Sequence, residues 1–257
     1  MASRTATALL LAGALGLPSP AAATEVPPAP HLGGTWRFDM RIVSHADIPV
    51  LGVAEIRSRT VYLAEVTGPP GAPSVRTRVC RMDAHSTQAI ATTQIPQAFV
   101  NAIPERTVPV LLVPRDGAWS VHIDMTPHHL GYNPRLSPDG VPRKRSHPAV
   151  TDFEGDGLPG GTILLDAPLF GIVQIYVVQH AHTILDGTWT GSDTWTGQAT
   201  VREFEQRSIG ASNRLFATNA DVTVDSSQSG FRWTRVPDGT SCAALRSGFQ
   251  APGADWN

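Results

Sequence analysis

The stretch Trp36-Arg37-Phe38-Asp39-Met40-Arg41-Ile42 alternates apolar and charged side chains without a break. Successive side chains of an extended chain point to opposite faces. This stretch therefore predicts a half-buried strand with Trp36, Phe38, Met40 and Ile42 on its inner face. Trp119-Ser120-Val121-His122-Ile123-Asp124-Met125 follows the same rule. Further strands are expected at 75–82, 170–184, 198–205 and 231–236. Turn residues separate them: Gly68-Pro69-Pro70-Gly71, Asp116-Gly117, Asp139-Gly140 and Asp238-Gly239. With 23 Gly and 22 Pro in 257 residues, long helices have little room. Only 96–103, bounded by Pro96 and Pro104, and 208–216 read as short helices. The expected class is all-β, an antiparallel barrel or sandwich with few short helices.

The chain starts with Arg4, an apolar run from Ala8 to Leu17, Pro18-Ser19-Pro20 and then Ala21-Ala22-Ala23. A basic start, a short apolar middle and small residues at the end predict a signal peptide, 1–23, cleaved after Ala23. A spanning helix needs roughly 20 apolar residues, which no run reaches. The expected location is secreted, periplasmic or on the outer surface. Residues 24–31 carry Pro27, Pro28 and Pro30 and read as a linker to a β-rich domain over 32–257. Cys80 and Cys242 are the two cysteines. In an exported chain they form one disulfide or stay as two separate buried thiols.

Formal net charge is −2, and Lys144 is the only lysine. The one basic run, Arg143-Lys144-Arg145, is flanked by prolines and reads as a solvated loop, so no nucleic-acid partner is expected. Leu32-Gly33-Gly34-Thr35-Trp36 is echoed by Leu185-Asp186-Gly187-Thr188-Trp189. This suggests two similar halves, 32–110 and 185–250, around a loop-rich middle; chance similarity of strand starts is the alternative.

The densest chemical signal is Asp152-Phe153-Glu154-Gly155-Asp156-Gly157-Leu158. Asp152, Glu154 and Asp156 alternate, and Leu158 offers a backbone carbonyl. Hard oxygen donors at this spacing suit calcium, with Gly157 allowing the sharp turn. An EF-hand is excluded, because Ile163 stands where its twelfth-position Glu belongs and no helices flank the loop. The competing reading is an Asp-Gly turn whose carboxylates cap backbone amides.

Residues Asp152 to Thr162 resemble an Asp-x-[Asp/Glu]-Gly-Asp-Gly-x-Pro-Gly-x-Thr loop of secreted, uncharacterised proteins from myxobacteria-like bacteria, with Tyr176-Val177-Val178-Gln179 as a second patch. That resemblance implies export and calcium, and no reaction. Gly34 and Trp36, with Arg235 late in the chain, resemble the opening of lipocalin-like (calycin) barrels, in which the Trp closes one end of the barrel. The Pro- and Gly-rich segment 126–168 departs from a simple lipocalin.

His180 and His182 share a strand face, and His122, His128 and His129 lie in or just after another strand. Three converging imidazoles would suit zinc with an open water position, Asp124 orienting one of them. No His-Glu-x-x-His, no Gly-x-Ser-x-Gly around Ser192, no phosphate loop and no dinucleotide fingerprint is present, and no pair of carboxylates stands out. Trp189, Trp195 and Trp233 could stack on a sugar or fill the core. The expectation is a non-catalytic exported β protein, calcium-stabilised through Asp152, Glu154, Asp156 and Leu158, binding a small apolar ligand or a carbohydrate. The alternative is a metal-dependent hydrolase using His122, His128, His180 and His182. A cell-surface interaction module is a third reading.

Overall fold

The alternation at 36–42 becomes the first half of β1 (Gly34–Ile48), in which Trp36 and Phe38 are sealed from solvent. The structure, a computed structural model, describes residues 28–48, 52–87, 92–115, 118–189, 193–217 and 220–247. β1 pairs antiparallel with β2 (Gly52–Thr67), which pairs with β3 (Ser74–Ser86). β4 (Thr92–Gln94) lies at one end of the sheet and β5 (Arg106–Pro109) at the other, beside β3. β6 (Leu111–Arg115), β7 (Ala118–Asp124) and β8 (His128–Leu130) follow; β7 and β8 pair along a later, longer strand. β9 (Gly161–Ala167), β10 (Gly171–Trp189), β11 (Thr194–Ala211) and β12 (Asp221–Arg235) complete the order β4-β9-β10-β11-β12-β1-β2-β3-β5. The result is one curled antiparallel half-barrel. Among the described residues no ladder joins β5 to β7 or β8, so one seam of the curl has no strand pairing.

The concave face is organised by a row of four rings on directly paired residues. Trp195 of β11 lies opposite Trp233 of β12, Trp233 opposite Phe38 of β1, and Phe38 opposite Tyr62 of β2. Successive rings stack with centroids 4.9, 5.0 and 4.6 Å apart. Each such contact adds about 0.5–1.5 kcal/mol beyond the area it buries. The row explains why the alternation is so strict: a one-residue slip would turn every ring outward. Trp195 and Trp233 are thus core residues, 4% and 1% exposed, and neither ring is open to an external sugar.

Two covers close parts of the convex face. α2 (Cys242–Ser247) lays Leu245 over Val61 and Cys80, and Cys80 and Cys242 sit at disulfide distance with Cα atoms 5.0 Å apart. The link spans 162 positions, a closure worth about 5 kcal/mol in the chain-entropy model. The segment 131–160 folds over β10 and β11, where Tyr132, Val141 and Ala149 pack on Tyr176, Val178 and Ile209. That cover accounts for Val177 and Val178 both being buried although they point to opposite faces. α1 (Gln97–Ala102) brings Phe99 against Leu130 and Val177 from the other side. Among the described residues no helix is long and apolar enough to cross a membrane.

The helix expected at 208–216 does not form. β11 continues to Ala211, and one 3-10 turn, Arg214–Phe216, follows, capped by the Asn213 side chain. The two Gly-Thr-Trp segments are not in equivalent places, since the first opens β1 and the second closes β10. The leader 1–23, the Asp116-Gly117 turn and Ser192 lie outside the described residues.

Candidate functional site

The Asp152 loop is folded around its own amides. The Asp152 carboxylate accepts from the backbone N–H of Gly155, Asp156 and Gly157 at 2.8–3.0 Å. Asp156 accepts from the Leu158 amide (2.8 Å) and the Thr162 hydroxyl (2.9 Å), and Glu154 accepts from the Thr162 amide (2.6 Å). Burial raises the Glu154 carboxyl above the usual carboxylate range, against the Thr162 hydrogen bonds. This is the geometry of the Asp-Gly turn. Its loop fastens the 131–160 cover, with Phe153 N–H donating to Gly160 and Gly160 N–H to Thr151. Asp152 and Asp156 thus have both oxygens occupied by donors, Glu154 has Oε1 so occupied while its buried Oε2 has no partner among the described residues, and Leu158 supplies an amide to Asp156.

The histidines divide between the two faces of the sheet. On the convex face, each of three rings has a carboxylate. His182 Nε2 bonds Asp124 (2.8 Å), His122 Nδ1 bonds Asp186 (2.7 Å), and His180 Nε2 bonds Glu203 (2.7 Å). The other nitrogen of His180 lies 2.9 Å from His129 Nε2. The bond to His182 lowers Asp124 below its ordinary value, and the bond to His180 does the same for Glu203. His128 points the other way, into the curl. The quartet His122, His128, His180 and His182 is therefore not brought together. Among the described residues no group of three or more His, Cys, Asp or Glu is disposed to hold a metal ion.

His128 instead lines a cavity of about 70 Å³ beneath the unpaired seam. One wall comes from β1–β3 through Met40, Thr60, Tyr62, Thr77 and Met82. The other comes from Met125, Leu130, Gln179 and Thr183. Arg106, the first residue of β5, stands between them and holds the seam: its Nη1 donates to the carbonyls of Met125 (3.1 Å) and Thr126 (3.2 Å). Those carbonyls are aimed by Asp124, which accepts the Thr126 amide at 2.7 Å and holds Thr126 at a φ of 57°. Because His182 bonds the same carboxylate, the convex and concave faces are tied through Asp124.

Electrostatically the cavity has an unusual balance. Burial pushes the Tyr62 phenol up to about 12, so it stays neutral. Burial, helped by the charge on Arg106, holds His128 down to about 3, so it too stays neutral. Desolvation lowers Arg106 below its ordinary value, yet it remains a cation. One positive charge thus faces neutral polar groups and three thioethers in a mostly apolar recess. Sequence reading found only His128 among these residues. Gln179 entered only as the last residue of the Tyr176–Gln179 patch, with no role in a site; Tyr62 and Arg106 belong to segments with no motif, and the remaining signal was the alternation that puts Met40 and Met125 on inner faces.

Comparison with family models, with curated proteins and with solved structures finds no match.

Proposed function

We propose that this chain is an exported binding protein that holds a small ligand inside its half-barrel, in the cavity between Met40, Tyr62 and Met82 on one side and Met125, His128 and Gln179 on the other. The observation that carries this reading is the cavity itself: a recess with apolar walls and a few convergent polar groups whose protonation is fixed by burial. Three of the chain's four methionines line it. Unbranched thioether side chains reshape at low cost and suit a wall that must adapt to a guest. A volume near 70 Å³ gives room for a few waters or a molecule of about that size.

Export is supported by the leader-like start and by the cysteine pair, which suits an oxidising compartment. Two of the residues on which the lipocalin-like resemblance rests are in contact: the Arg235 guanidinium lies 4.2 Å from the Trp36 ring centroid, while Trp36 Nε1 donates to the Leu32 carbonyl. The experiment is a thermal-shift screen of molecules with about four to eight non-hydrogen atoms, a size range set by the cavity volume. It is run on the full chain and on Thr183→Ile, which fills the cavity. Stabilisation seen in the first and lost in the second is expected. Equal stabilisation of both would remove the cavity as the binding site.

A further inference from the structure

We propose that this cavity selects small organic monoanions, carboxylates above all, with the outer edge of the Arg106 guanidinium as anchor and Met40, Met82 and Met125 around an apolar tail; the proposal rests on the cavity being a ligand site.

Several arginines elsewhere in the fold meet carboxylates: Arg37 and Arg59 share Asp39, Arg57 meets Glu55, Arg81 meets Asp83, Arg207 meets Glu205, and Arg235 meets Asp193. Arg106 is half-buried and, among the described residues, has no carboxylate. Glu105, its chain neighbour, turns instead to Arg76 and Arg78. A partly desolvated cation without a counter-charge carries a cost that an anion bound beside it would offset. Within the cavity nothing does, since Tyr62 and His128 are both neutral.

The geometry of the guanidinium sharpens this. Arg106 makes its two protein hydrogen bonds from Nη1, both to backbone carbonyls. Holding the seam therefore uses one corner of the group. Nε and Nη2 have no protein acceptor among the described residues, and neither is sealed away from solvent. Two parallel N–H donors on one edge match the two oxygens of a carboxylate. The thioethers and Leu130 that line the same cavity favour a guest with a short hydrocarbon tail over a fully hydrated inorganic ion.

The test titrates the full chain with sodium butyrate and with butyramide, its neutral analogue of equal size. The Arg106 Nε resonance and the methyl resonances of Met40, Met82 and Met125 are followed by NMR. Butyrate is expected to bind at least about tenfold more tightly than butyramide. It should also shift Arg106 Nε and lose about fourfold in affinity per methylene removed toward acetate. Arg106→Met should erase the preference while butyramide still binds, and Arg106→Lys, which keeps the charge without the planar fork, should retain only part of it. Should the Met variant not fold, the Arg106 Nε signal of the unaltered chain decides the question. Equal affinity for butyrate and butyramide overturns the anion assignment and leaves the cavity reading intact. Absence of any methionine shift with either compound removes both.

Discussion

Arg106 and Met125 are joined by a hydrogen bond of 3.1 Å from Nη1 to a backbone carbonyl, across the seam where, among the described residues, no ladder joins β5 to β7 or β8. The same guanidinium faces the cavity, so the residue that ties the two walls together also sets the charge of the space between them. Its acceptor carbonyls are held in place by Asp124, which in turn is bonded by His182 on the opposite face.

This arrangement predicts coupling between Arg106 and Asp124, although they do not bond each other. Arg106→Gln and Asp124→Ala should each destabilise by about 1–3 kcal/mol. The double variant should be less destabilised than the sum by about 0.5–2 kcal/mol, since both changes release the 125–126 turn. Urea unfolding of the four proteins measures this. Strict additivity would mean that the turn does not transmit the contact.

His128 predicts a specific acid sensitivity. Its folded value is about 3 against an unfolded value of 6.5, with burial as the main cause and Arg106, His180 and His129 adding repulsion. Between those limits the unfolded chain binds a proton that the folded chain refuses. Stability attributable to this residue is therefore complete above about pH 6.5 and is lost as pH falls toward 3. The slope is about 1.3 kcal/mol per pH unit in the middle of the window. Unfolding free energies at pH 6.5 and 4.5 should fall by about 2 kcal/mol more in the unaltered chain than in His128→Gln. Equal losses would place the imidazole in contact with solvent.

The 131–160 cover depends on close backbone approach. A Cβ at Gly160, where φ is +80°, would lie 2.6 Å from the carbonyl oxygen of Val177, whereas one at Gly155, φ +77°, meets nothing within 4 Å. Gly160→Ala should cost about 3 kcal/mol or more, and Gly155→Ala about 1 kcal/mol, the backbone strain alone. Hydrogen exchange should localise the difference. In Gly160→Ala the amides of Asn133, Thr151 and Phe153, which bond within the cover, should lose protection before those of β1 do. Uniform loss across the sheet would contradict a separately docked cover.

Because Asp152 accepts three backbone amides, Asp152→Ala should destabilise by about 1–3 kcal/mol with or without calcium. The melting temperature of the unaltered chain should not respond to millimolar calcium. A calcium-dependent rise abolished by Asp156→Ala would show instead that the loop opens to take the ion.

The fold was legible wherever one face of a strand is buried and the other wet. Trp36 to Ile42 and Trp119 to Met125 satisfy period two because a slip would expose the ring row or unseat Val121 and Ile123. The 208–216 segment misled because its small and polar residues carry no periodicity that separates a strand end from a helix. At the Asp-rich loop, spacing alone could not tell inward-facing ligands from turn caps. Two-residue spacing in His180 and His182 correctly implies a shared face, but the turn at Thr126, φ 57°, breaks parity with His122, so nothing local reveals which of His128 and His129 shares its face. The cavity was the least legible feature of all. Its polar groups come from β2, β3, β5, β8 and β10 and meet across a seam that has no strand pairing among the described residues, a property of the whole topology.

The most direct test of a ligand site in the half-barrel uses methionines as reporters. With methyl-labelled methionine, spectra of the full chain are recorded while small fragments are added. Saturable shifts of Met40, Met82 and Met125 that move together with one dissociation constant, and that vanish in Thr183→Ile, are the predicted result. Methionine signals that stay fixed while a fragment demonstrably binds would put the ligand elsewhere and contradict the account.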